Sequence, residues 1–129
     1  MNQNKHDIIR VLRDYQDFVN ASDAEGLAAL YHENAILIPD RMSLCEGVDA
    51  IRTFYKYAFS VLELNLEFTI NPEQIVVDSG FAFATTHSTG TRLLKQEERT
   101  VPEINRELWV FEKASDTWGI SRYCFNKAS

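Results

Sequence analysis

Residues 62–70 read LELNLEFTI, and this stretch decides the fold. Leu62, Leu64, Leu66, Phe68 and Ile70 alternate with Glu63, Asn65, Glu67 and Thr69. A period of two puts the apolar side chains on one face of an extended strand and the polar ones on the other, which helical spacing cannot do. One face is built to cover a core and the other to meet water.

Downstream the strands continue. Asn71-Pro72 turns the chain, residues 74–77 form a short strand, and Asp78-Ser79-Gly80 turns it again. Phe81 to Leu94 is a long strand rich in Phe, Ala and Thr, and the charged tip from Lys95 to Arg99 is solvated loop. The last two strands, Ile104 to Glu112 and Trp118 to Phe125, are joined through Lys113-Ala114-Ser115-Asp116-Thr117, a length suited to a hairpin.

Upstream the period changes. Ile8, Val11, Leu12, Tyr15, Phe18 and Val19 recur at three and four residues, which predicts a helix from about Asp7 to Asn20. Ser22-Asp23-Ala24-Glu25 has the form of a capping box opening a second helix, with Leu27, Leu30 and Tyr31 on one side. Ala35 to Ile38 is a buried strand stopped by Pro39, followed by a loop from Asp40 to Glu46. Val48, Ile51, Phe54, Tyr55 and Ala58 mark a third helix. Helices first and a meander second predict an α+β class, with an antiparallel sheet curved around three N-terminal helices. Residues 1–129 fit one domain, large enough to enclose a cavity.

Hydrophobic residues make up 45% of the chain and charged residues 25%, which is globular; eight Phe supply bulky walls. A formal charge of -6 and the lack of a basic face argue against nucleic acid. No segment approaches membrane-spanning length, and the N-terminus lacks the apolar run of a signal peptide, so a cytoplasmic protein is expected. The Asn20-Ala21-Ser22 acceptor pattern is then incidental. Cys45 and Cys124 form no CxxC pair and are expected to be reduced. His6, His32 and His87 lack HxH or HExxH spacing, so no metal site is expected, and there is no Walker A or GxGxxG stretch. No cofactor is implied.

The segments YQDFVNASDAEGLAALY (15–31), HENAILIP, EGVDAIRTFY and RELWVFEKASDTWGI, in that order, resemble the nuclear transport factor 2-like superfamily, nearest to its ketosteroid isomerase-like and SnoaL-like members. The resemblance spans nearly the whole chain. It implies a cone-shaped, cystatin-like α+β barrel with a deep pocket, commonly assembled as a homodimer through its sheet. Tyr15 then matches the oxyanion-hole tyrosine of ketosteroid isomerases. Glu107 falls where those enzymes carry a protonated aspartic acid, and Asp40 lies beside the position of the general base.

Enolate chemistry needs a base and donors for the oxygen that gains charge. Ketosteroid isomerases keep one carboxyl neutral as a donor in an apolar site while another stays ionised as base. By that logic Asp40 is the base, and Tyr15 and a neutral Glu107 are the donors. Each has a structural alternative: a core tyrosine, a turn aspartate neutralised by Arg41, and a glutamate facing solvent or paired with Arg106 or Arg92. Glu107, Trp109 and Phe111 share a strand face, so Trp109 is a candidate ligand-binding residue. His87, mid-strand, is a second candidate; Arg122, sharing parity with Trp118 and Ile120, is a third, suited to an anionic group at the cavity mouth. The expected function is binding of a small apolar or weakly polar molecule, with isomerase or cyclase activity through an enolate. The alternative is a noncatalytic, dimerising ligand- or partner-binding module, as in the association domain of calcium/calmodulin-dependent kinase.

Overall fold

Ile8, Leu12, Tyr15 and Val19 form the buried stripe of helix α1 (Gln3–Asn20) in a computed structural model that describes residues 2–128. The helix starts before the expected Asp7 because the Asn2 side chain accepts the Lys5 N–H at 2.9 Å and caps it. The capping box at Ser22 does not form. Ser22 takes a left-handed φ of 55°, which leaves Asp23 as the cap of α2 (Ala24–Ala29), accepting the Gly26 N–H at 2.9 Å. Glu25, freed from capping, pairs with Arg52 and Lys56 instead. Tyr31, expected on α2, opens strand β1 (Tyr31–Ile38), so the helix is a turn shorter and the strand longer than the periodicity suggests.

After the loop come β2 (Cys45–Glu46) and α3 (Val48–Val61), whose buried stripe is Ile51, Tyr55 and Phe59. The chain then runs through β3 (Leu62–Thr69), a short 3-10 turn, β4 (Ile75–Asp78), β5 (Phe81–Leu94), β6 (Arg99–Ala114) and β7 (Thr117–Lys127). The sheet order is β2-β1-β7-β6-β5-β3, with β4 also paired to β5. The fold is thus α+β, three helices against a curved, unclosed sheet. The sheet is mixed and not purely antiparallel, because β1 runs parallel to β7. The whole of α3 and the meander lies between those two strands, so no hairpin turn forces them antiparallel.

β5 presents Ala82, Ala84, Thr86 and Ser88 to the interior, all small, and these face the large inward side chains of β6 and β7. Gly90 extends that economy: a Cβ there would lie 1.9 Å from the Asn65 carbonyl oxygen, so β3 and β5 approach only because position 90 lacks a side chain. One irregularity redirects a whole strand. Phe111 pairs with Ile120 and Val110 with Arg122, leaving Ser121 as the extra residue of a β-bulge. Both Ile120 and Ser121 are buried as a result, and Arg122 is turned to the outer face. Among the described residues no helix is long and apolar enough to cross a membrane.

Candidate functional site

A cavity of about 390 Å³ lies between the helices and the concave face of the sheet. One wall is apolar: Val19 of α1, Phe54, Ala58 and Phe59 of α3, and Leu64, Leu66 and Phe68 of β3. These are the alternate residues of LELNLEFTI, so the period that specifies the strand also coats the cavity. Met42 and Tyr57, both more than half exposed, stand on its lining as a rim. The volume falls in the range of small-molecule sites.

Tyr15, Asp40 and Glu107 all line this cavity. Tyr15 is held by an aromatic box, its ring edge-on to Trp109 (4.9 Å between centroids), Tyr123 (5.5 Å) and Phe68 (5.7 Å). Its hydroxyl lies 2.8 Å from that of Tyr55, which lies 2.6 Å from that of Tyr31. Burial pushes Tyr15, Tyr31, Tyr55 and Tyr123 well above the usual tyrosine range, so all four carry their protons at neutral pH. If Tyr31 donates to Tyr55 and Tyr55 to Tyr15, the Tyr15 proton is free for an oxygen in the cavity. Bonds in such a row polarise one another.

Glu107 is 3% exposed. It pairs with neither Arg106 nor Arg92: Arg106 donates to Asn126, and Arg92 donates to Glu103. Its Oε1 accepts the Thr86 hydroxyl at 2.6 Å and its Oε2 the Ser88 hydroxyl at 2.7 Å. The Trp109 indole N–H donates to Thr86 Oγ1 at 2.9 Å, which leaves the Thr86 proton available to Glu107 Oε1. Burial raises the carboxyl above its usual range, and the two hydroxyl donors offset this only in part. Asp40 follows β1 with its side chain 16% exposed. Its Oδ1 accepts the Lys127 main-chain N–H at 3.3 Å, and its Oδ2 stands 3.9 Å from Arg41 Nε.

The three candidate ligand-binding residues lie elsewhere. His87 is exposed on the outer face, since the inner positions of β5 are Thr86 and Ser88 on either side of it. Arg122 is exposed on the same face because the Ser121 bulge reverses the parity on which its inward placement relied. Trp109 does point inward but is fully buried behind the cavity wall, stacked between Tyr123 at 3.7 Å and Phe111 at 6.2 Å. It positions Tyr15 and Thr86 and does not line the cavity. The residues that sequence reasoning passed over are Tyr31 and Tyr55, read as helix-core positions, and Thr86 and Ser88, which strand parity with Ala82 and Ala84 would have turned inward. Among the described residues no three His, Cys, Asp or Glu side chains gather to hold a metal.

Comparison with known proteins agrees with this architecture. The chain superposes on a ketosteroid isomerase-like protein from Erwinia carotovora atroseptica with a TM-score of 0.93 at 22% identity, covering 100% of this chain and 99% of that one. An NTF2-like protein with a cystatin-like fold from Novosphingobium aromaticivorans gives 0.76 at 17% identity, over 96% of this chain and 81% of that one. A cystatin-like domain from Nostoc punctiforme gives 0.78 at 21% identity, over 100% and 80%. No curated protein matches the chain. The family model for the SnoaL-like domain matches residues 12–123, so the chain belongs to the SnoaL-like family, within the nuclear transport factor 2-like superfamily.

Proposed function

We propose that the protein binds a small, largely apolar molecule through a carbonyl or phenolic oxygen and shifts a proton on it by way of an enolate, without a cofactor. The observation that carries this reading is the hydroxyl row Tyr31–Tyr55–Tyr15 ending in the cavity that a buried carboxyl, Glu107, also lines, against an apolar wall from α1, α3 and β3. Neutral donors in a water-poor site stabilise developing negative charge without reorganising. Tyr15 takes the oxyanion together with protonated Glu107, and Asp40, on the cavity lining, takes the proton from carbon. The reaction class is isomerisation, cyclisation or dehydration.

The test is exchange of solvent deuterium into the carbon next to the carbonyl of a panel of cyclic ketones, followed by NMR. Tyr15→Phe should slow exchange by about 10²–10³, and Asp40→Asn by about 10²–10⁴. Exchange that survives Asp40→Asn removes Asp40 as base.

One observation favours the noncatalytic alternative: both Asp40 oxygens already face partners, the Lys127 amide and Arg41, as in a purely structural turn. Ketones that bind with no exchange in the wild type would establish that reading. In either case we propose that a second copy covers the outer sheet face, where Phe83, Ile104 and Leu108 are 48%, 38% and 50% exposed.

A further inference from the structure

The buried ion cluster of β6 and the proposed base meet at the end of β7. Strand β1 stops at Ile38, paired in parallel with Cys124, because Pro39 has no N–H with which to continue the ladder, while β7 runs on to Lys127. Where the backbone of β1 leaves off, a side chain takes over: Asp40 Oδ1 accepts the Lys127 main-chain N–H at 3.3 Å. Successive N–H groups of a strand point to opposite sides. The Ala128 N–H donates to the Ile104 carbonyl of β6 at 2.8 Å, so the Lys127 N–H is turned away from β6 and toward Asp40. Three further contacts fasten this strand end: Lys127 pairs with Asn105 across the ladder, Arg106 Nε donates to Asn126 Oδ1 at 2.9 Å, and Lys127 Nζ stands 3.8 Å from Glu103 Oε1. Glu103 is 5% exposed and is itself held by Arg92 Nη1 at 2.8 Å and Asn105 Nδ2 at 3.0 Å.

The two oxygens of Asp40 are held unequally. Oδ1 is bonded to the main chain of a strand, which cannot swing away, whereas the Arg41 side chain is 93% exposed and its Nε, 3.9 Å from Oδ2, is beyond hydrogen-bond reach. An exposed ion pair at that separation contributes little. Among the described residues Oδ2 therefore accepts no hydrogen bond, and it is the oxygen left for a substrate proton. We infer that Lys127 is the positioning residue of the base: its main-chain N–H fixes the carboxylate by Oδ1, and its ammonium, through Glu103, holds the strand end that carries that N–H. The inference rests on the enolate reading with Asp40 as base, and it gives the buried Glu103 cluster a task in that reaction.

Lys127→Pro tests it, because the substitution removes this one N–H and leaves the β6 side of the strand alone. Deuterium exchange into cyclohexanone and cycloheptanone, followed across ketone concentration, should show kcat lower by about 10–10² with KM unchanged. Lys127→Ala keeps the N–H and removes only the ammonium, so its loss should not exceed about fivefold. In the Asp40→Asn background Lys127→Pro should cost nothing further, since the group it positions is gone. If Lys127→Pro loses its circular dichroism, ligation at Cys124 of a synthetic segment 124–129, with an ester in place of the Asn126–Lys127 amide, removes the same N–H and keeps the side chain. Equal losses for Lys127→Pro and Lys127→Ala, a rise in KM alone, or a Lys127→Pro loss that multiplies with that of Asp40→Asn overturns the positioning role and leaves the enolate reading standing. If the wild type exchanges no ketone of the panel, the enolate reading fails, and this inference with it.

Discussion

Tyr55→Phe is the most informative single change, because the Tyr55 hydroxyl is the middle of the buried row. It lies 2.8 Å from the Tyr15 hydroxyl and 2.6 Å from that of Tyr31, and all three rings are buried. Removing it deletes two hydrogen bonds and leaves two buried hydroxyls short of a partner. Each bond contributes about 1 kcal/mol net, and each orphaned buried hydroxyl costs about 1–3 kcal/mol, part of which the neighbours recover by turning elsewhere. A loss of roughly 2–4 kcal/mol follows, against a total stability of about 5–15 kcal/mol for a domain, so the protein stays folded with a melting temperature lower by on the order of 10 °C. Tyr31→Phe breaks only the terminal bond and should cost about half as much. The two changes should also be less than additive, since Tyr31 in the Tyr55→Phe background is already an orphan. Urea denaturation of the wild type, both single variants and the double variant measures all of this. Equal losses for Tyr55→Phe and Tyr31→Phe, or strict additivity in the double variant, would refute the row as the organising element of the site.

The remaining predictions concern charge and the outer face. Because burial raises Glu107, the native state holds its proton to higher pH than the unfolded chain does, and stability therefore falls as pH rises from the usual carboxylate range toward the raised value. Glu107→Gln should lack this loss, so the wild type should weaken relative to the variant as pH rises above about 4; a constant difference across urea titrations on that rise contradicts the burial argument. The four raised tyrosines, Tyr15, Tyr31, Tyr55 and Tyr123, contribute stability that is complete below the unfolded tyrosine range and is lost above it. Alkaline unfolding should therefore be steep, each contributing up to about 1.4 kcal/mol per pH unit, with tyrosinate absorbance rising together with loss of helical circular dichroism and not before it. Leu108→Glu places a charge in the centre of the exposed apolar sheet face; light scattering should show the wild type as a dimer and the variant as a monomer, with ketone binding retained.

Much of the fold is legible in the chain. The alternation of residues 62–70 places β3 and coats one cavity wall. The three- and four-residue spacing of Ile8, Leu12, Tyr15 and Val19 aims Tyr15 inward from α1, and parity with Trp109 and Phe111 aims Glu107 inward from β6. These readings work because local period alone decides which face a residue occupies. They stop where a neighbour changes the count. The Ser121 bulge inserts one residue into β7, and that sends Arg122 outward. The left-handed turn at Ser22 moves the α2 cap to Asp23, and β1 takes Tyr31 from the helix.

By itself, then, the sequence determined the element types, the apolar wall and the inward direction of Tyr15 and Glu107, since helical and strand periods are properties of consecutive residues. Tertiary structure alone decided that β1 lies parallel to β7, that Tyr31 and Tyr55 from separate elements bond in a row with Tyr15, and that Thr86 and Ser88 hold Glu107. Those pairings join residues far apart in the chain, as with Tyr31 opposite Ile120 and Tyr15 bonded to Tyr55. They form because buried hydroxyls and carboxyls must find partners wherever packing brings them, and no local period carries that information.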